Sequence, residues 1–145
     1  MGVTTVDLDR IISFIKRQKV AFIASVDDNG VPAIKAMLSP RKITDNTVFY
    51  FSTNTSSLRV KQYQQNPGAS IYFYHKGLFR YRGVMLQGTM DVLEDAAIKE
   101  ELWHIGDTIF YKQGVTDPDY CVLRFTAQSG RYYCNLNTQS FSFPS

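Results

Sequence analysis

Cysteine and histidine are scarce, two of each in 145 residues. Cys121 and Cys134 lie in separate apolar runs without metal-type spacing, so they read as buried thiols in a reducing compartment rather than a disulfide framework. His75 and His104 are not arranged with serine or cysteine for nucleophilic attack, and no two acidic residues are placed as general acid and base, so both histidines read as structural. No apolar run approaches the roughly 18 residues of a membrane span, and the N-terminus lacks the charged-then-apolar layout of a signal peptide. Met1-Gly2 opens like a myristoylation site, but the sixth residue is Val6 where Ser or Thr is needed. The expectation is a cytoplasmic protein with no membrane partner. Charge is short as well: 16 Lys and Arg against 13 Asp and Glu give +3, with the cations scattered. That argues against duplex nucleic acid and is compatible with a small phosphorylated ligand.

What is present is apolar and aromatic surface, at 44% and 14% of the residues, enough for the core of one domain spanning 1–145. Thr4 and Asp7 offer a capping box, and Leu8, Ile11, Ile12 and Ile15 recur at helical spacing up to about Arg17 or Gln18. Val20 to Val26, the turn Asp27-Asp-Asn-Gly30 and Val31 to Leu38 predict a β-hairpin. Pro40 and Thr44-Asp-Asn46 mark a turn before a third strand, Thr47 to Phe51. A helix through Leu58, Val60 and Tyr63 stops at Asn66-Pro67. Ala69 to His75 is a fourth strand, and Phe79 to Leu93 a long one expected to bend with bulges at Gly83 and Gly88. Glu94 to Ile105 reads as a helix turning Ile98, Leu102 and Trp103 inward, and Phe110 to Asp119 as a loop. Tyr120 to Thr126 and Arg131 to Leu136, joined by a turn at Ser129-Gly130, complete about seven strands, with Phe141 and Phe143 in an apolar tail. Hairpins without regular strand–helix alternation predict a mainly β (α+β) chain, an antiparallel split β-barrel with a few short helices.

Thr53 to Pro67 carries the chemistry. It leaves an aromatic strand through a hydroxyl-rich turn and opens a helix, where unpaired N–H groups and the helix dipole favour an anion. Thr53, Ser56 and Ser57 are candidate donors to a phosphate, and Arg59 a candidate planar fork for its oxygens. The plainer reading leaves Ser56 or Ser57 as a helix cap, with Arg59 and Lys61 solvated.

The order of these features resembles the pyridoxamine 5′-phosphate oxidase-like family of FMN-binding split barrels, including its small general-stress-type flavoproteins. The resemblance rests on the opening helix, the Asp28-Asn-Gly hairpin followed by Pro32, and the strand into Thr53. It continues through Ser57-Leu-Arg59 seven residues before Asn66-Pro67, the strand ending at Gly88, and Asp117-Pro-Asp-Tyr120. It implies that Lys35, Ala36, Met37 and Leu38 face the flavin ring system, that Phe51, Ser52 and Thr53 form the loop beside it, and that Ser57 and Arg59 hold the phosphate. It further implies a homodimer with FMN at the interface, for which Trp103 and the apolar tail are candidate contacts. The polar strand residue and the Arg- and His-rich C-terminal segment with which the oxidase holds its substrate are here Gly83 and the isolated Arg124 and Arg131. The implied function is therefore FMN-dependent redox chemistry on a small electron donor or acceptor, other than vitamin B6 oxidation. A non-catalytic flavin-binding stress or sensor protein, and a haem- or deazaflavin-binding split barrel, are the alternatives. A nucleic-acid platform of Tyr72, Tyr74, Phe79 and Tyr81 is disfavoured, because aromatics alternating along a strand more often build a core.

Overall fold

The computed structural model describes residues 6–144. Helix α1 (Leu8–Lys16) starts at Asp7, whose carboxylate accepts the Arg10 N–H. The Thr4 half of the expected capping box and the Met1-Gly2 motif lie outside the described residues. Ile11, Ile12, Phe14 and Ile15 form the buried stripe that packs α1 into the main core. Strands β1 (Val20–Val26) and β2 (Pro32–Leu38) pair as the expected hairpin, with Gly30 at φ +78. The Asp27 carboxylate accepts the Asn29 and Val31 N–H groups across that turn.

β3 (Lys42–Thr44) was not expected; three residues are too few to show a period. It pairs with β4 (Val48–Asn54), and Asp45 and Asn46 both take positive φ in the tight turn between them. Then come α2 (Leu58–Gln65), β5 (Gly68–Lys76), β6 (Tyr81–Leu93) and α3 (Ala96–Leu102). Two short 3₁₀ segments, Ile105–Ile109 and Gly114–Thr116, precede β7 (Tyr120–Cys134) and β8 (Asn137–Ser142).

The structure corrects several boundaries. Among the described residues there are eight strands where about seven were expected. α3 covers only Ala96–Leu102, and the predicted loop after it contains both 3₁₀ segments. Ser129-Gly130 is no turn, since β7 runs straight through it and the chain reverses after Cys134, with Asn135 at φ +54. Gly130 is small for packing: a Cβ there would stand 2.5 Å from the Phe141 ring and 2.8 Å from Leu86. The expected bulge at Gly88 is present, the register stepping from Gln87↔Ser129 to Gly88↔Ala127. Gly83 carries none, because its ladders to Tyr74 and Tyr133 are regular.

All pairings are antiparallel, in the order β2-β1-β5-β6-β7-β4-β3, with β8 added to β7. The long β7 pairs with β4 through Tyr120–Thr126 and with β8 through Ser129–Cys134. Phe49, Phe51, Ile71, Phe73, Leu86 and Phe125 fill the interior. β2 and β3, at the two ends of the path, do not pair with each other, and the split of the barrel is there. A second cluster of Leu102, Tyr111, Tyr120 and Val122 fastens α3 and the 3₁₀ segments to β7. Trp103 packs within it, edge-on to Tyr120 at 5.1 Å, and Phe141 and Phe143 are buried in the main core. Phe141 and Phe143 thus serve the protomer's own packing, and Trp103 stays half-buried. Cys121 is buried as expected but Cys134 only half so, and both are free thiols. Among the described residues no helix is long and apolar enough to cross a membrane.

Candidate functional site: a groove at the barrel split

A groove of about 390 Å³ lies where the sheet fails to close. It brings together Lys35, Ala36, Met37 and Leu38 from β2, Ser52 and Thr53 from β4, and Arg59 from α2. Both edges facing it are open. β3 covers β4 only as far as Tyr50, whose carbonyl also accepts the Arg41 N–H. Two residues on, Ser52 turns its own backbone N–H and C=O to that uncovered side. Of the other predicted residues, Phe51 points into the core at 1% exposure, and Ser57 is the α2 N-cap, its hydroxyl accepting the Val60 N–H.

Arg59 is the unusual member. Val60 and Tyr63 are the buried side of α2, and the Tyr63 hydroxyl donates to the Ala24 carbonyl on β1. Arg59 lies one turn before Tyr63 on the same flank, so its stem is drawn in with it. Its Nε is buried and lacks a hydrogen-bond partner, the only such side-chain nitrogen or oxygen among the described residues. Burial lowers its pKa, yet a guanidinium stays charged at neutral pH. The groove thus holds a half-buried cation that, among the described residues, makes no ion pair.

The hydroxyl-rich turn before α2 is otherwise engaged. The Thr55 N–H donates to the Asp119 carbonyl (2.6 Å) and the Ser56 N–H to the Asp119 carboxylate (2.8 Å), while the Thr55 hydroxyl donates to the Pro118 carbonyl. Asp117 in turn accepts the Asp119 and Gln113 N–H groups. Asp117-Pro-Asp is therefore a clamp on this turn. Of the four expected phosphate donors, Thr53 and Arg59 line the groove and Ser56 and Ser57 do not.

Sequence reasoning missed the opposite wall, formed by Arg41, Asp107, Phe110 and Tyr111. Arg41 donates twice to the Asp107 carboxylate (2.5 and 2.8 Å) and once to the Leu102 carbonyl (3.1 Å), and Asp107 also accepts the His104 N–H. The hydrogen bond to Arg41 holds the Asp107 carboxyl below its ordinary value, and burial pushes the Tyr111 phenol up to about 12. With Asp107 committed to Arg41, no groove-lining carboxylate remains for Arg59 among the described residues. Arg41 and Asp107 are 66 residues apart, and neither sits in a local pattern that announces the pair. The only hint was an aspartate in a loop dense with aromatics.

Neither histidine lines the groove; both are exposed. The described residues hold no group of three or more His, Cys, Asp or Glu placed to bind a metal. The residues that do line it, an unpaired guanidinium, a lysine, hydroxyls, open strand edges and aromatic or aliphatic walls, suit a flat molecule with an anionic arm.

The pyridoxamine 5′-phosphate oxidase family model matches residues 8–134. No curated protein sequence matches the chain. Among solved structures, a protein related to general stress protein 26, of the pyridoxine phosphate oxidase family, from Clostridium acetobutylicum is 35% identical. It superposes with a TM-score of 0.83 over 95% of this chain and 97% of its own. An FMN-binding protein from Nostoc punctiforme related to pyridoxamine 5′-phosphate oxidase is 17% identical, with a TM-score of 0.70 over 99% of this chain and 100% of its own. A haem-binding protein from Mycobacterium smegmatis is 14% identical, with a TM-score of 0.75 over 97% of this chain and 60% of its own. The last two likenesses are of fold.

Proposed function

The chain belongs to the pyridoxamine 5′-phosphate oxidase family of split barrels, and from that premise we propose that it binds FMN in the groove and is an FMN-dependent oxidoreductase acting on a small molecule. The observation that carries this reading is the buried, partnerless Arg59 Nε on the groove wall. A phosphate monoester satisfies it, bringing two or three acceptor oxygens to a planar donor fork that has no other counter-charge there. Thr53 adds a hydroxyl, and Lys35 with the open β2 edge offers donors to the polar side of a ring system. The Arg41–Asp107 pair fixes the opposite wall, holding Phe110 and Tyr111 in place. When bound, FMN supplies hydride or single-electron exchange, so no acid–base pair is required of the side chains.

Haem is the weaker fit. It takes an axial ligand, most commonly histidine or cysteine, and among the described residues the groove is lined by neither. The reading includes a homodimer. The outer face of β1, β2 and β5 exposes Ile34 (72%), Leu38 (67%), Tyr74, Val20 and Phe22, where a solvated antiparallel sheet carries polar residues. A second copy covering that face would also close the groove beside it, since Leu38 belongs to both. The test is anaerobic reduction of the FMN-loaded protein by reduced nicotinamides, followed by turnover with small acceptors. Multiple turnovers support an oxidoreductase; flavin that binds but never turns over with any donor and acceptor pair would leave a flavin-holding protein.

A further inference from the structure

A second concavity, sharing no residue with the groove, lies at the mouth of the barrel beneath α1. It measures about 230 Å³, and three arginines line it: Arg10 from α1, Arg80 from the β5–β6 turn and Arg82 from β6. The sheet register explains why they meet. Arg82 stands opposite Cys134, two residues along from the Val84↔Tyr132 pair, so it occupies the inward face of β6 with Val84 and Leu86. That is a position for an apolar side chain, and Arg82 instead lays its guanidinium 4.8 Å from the Phe14 ring centre. Among the described residues none of the three guanidinium groups makes an ion pair or a side-chain hydrogen bond. The one carboxylate on the rim, Asp7, is engaged in capping α1. The five residues before Val6, Met-Gly-Val-Thr-Thr, contribute no acid. Three guanidinium groups against the single Asp7 carboxylate, which pairs with none of them, leave the concavity net positive and suited to an anion.

We propose that this pocket is a binding site for a small aromatic dianion, its ring against the half-buried Val6 and Tyr132 and its charge on Arg10, Arg80 and Arg82. The volume is below the roughly 300–1,000 Å³ of drug-sized sites and suits one ring with its anionic groups. The apolar wall distinguishes it from a site for an inorganic anion, and the arginines from a site for a neutral ring. The proposal does not depend on flavin binding.

The test is calorimetric titration with phenyl phosphate and with phthalate, with and without added FMN, the Arg59→Met variant serving to exclude the groove as the site. Benzyl alcohol and inorganic phosphate are the half-ligands. Saturable binding of phenyl phosphate or phthalate, at least about tenfold tighter than either half-ligand, is expected. It should weaken about tenfold or more in the Arg10→Gln/Arg80→Gln variant and be unchanged in Arg59→Met. Both arginines of the double variant are exposed, so folding is not at stake, and the two probes separate phosphate from carboxylate ligands. The proposal is overturned by absence of saturable binding of both probes, by half-ligands that bind as tightly, by binding unmoved in the double variant, or by binding lost in Arg59→Met.

Discussion

Arg59→Met keeps an unbranched apolar stem and removes the guanidinium with its buried, unpaired Nε. The account predicts two effects of opposite sign. In the protein without flavin, a buried donor lacking a partner costs about 1–3 kcal/mol. Arg59 is only half-buried, so the lower end applies. The variant should be more stable by about 1 kcal/mol, a rise of roughly 2–4 °C in melting temperature for a domain of this size. With flavin the sign reverses. A hydrogen bond to a charged group contributes about 1.5–3 kcal/mol, and at a half-buried fork making one or two of them the lost phosphate contact should cost about 2–4 kcal/mol. FMN affinity should then fall about 30- to 1,000-fold. Riboflavin, which has no phosphate, should change less than about threefold, because it loses no charge-assisted bond. The assay is flavin fluorescence titration with both ligands at one ionic strength, together with thermal unfolding of the flavin-free protein. Equal weakening of FMN and riboflavin, or a lower melting temperature in the flavin-free variant, would refute the reasoning.

The Arg41–Asp107 pair should be visible in acid. Its Asp107 pKa is depressed in the folded state, so the pair's stabilisation is fully present above the ordinary value of 3.8 and is lost as pH falls through the folded value. Asp107→Asn should cost about 2–4 kcal/mol at pH 7, and thermal melts across pH should show that gap closing below about 4. Gly88→Ala drives a Cβ to within 1.9 Å of the Thr126 carbonyl oxygen, a backbone atom that cannot turn away, and should destabilise by about 3 kcal/mol or more. Gly83→Ala meets the end of the half-exposed Tyr72 side chain, its hydroxyl at 2.2 Å and Cζ at 2.9 Å, which can swing away, so denaturant melts should show a clearly smaller loss. Ile34→Glu places a charge on the exposed face assigned to the second copy. Sedimentation should show a shift from dimer to monomer with loss of flavin, and a monomer that keeps its flavin contradicts the shared site.

Much of the barrel was legible in the sequence because its signals are local. The β1–β2 turn is written in Asp27-Asp-Asn-Gly30, the end of α2 in Asn66-Pro67, and Gly88 marks a true bulge. Three glycines show where such reading fails. Gly30 supplies the positive φ that turn chemistry suggests, but Gly83 and Gly130 are small because Tyr72 and Phe141 need the space. That demand comes from another strand and leaves no local trace, which is why a turn was expected at Ser129-Gly130. One wall of the groove was readable by the same logic. Arg59 follows a helix cap and β2 follows a clear hairpin, whereas the facing wall depends on Arg41 meeting Asp107 across 66 residues. Serines near a helix start resemble phosphate donors whether or not another loop has claimed the turn, and only the fold reveals Asp119 there.

The most direct test of the central claim is the absorbance spectrum of the purified protein before and after addition of FMN, with the released chromophore identified by mass. The account predicts two broad flavin bands and the mass of FMN, either as purified or after a saturable titration. A sharp Soret band, or a protein that stays colourless and leaves added FMN unbound, would contradict it.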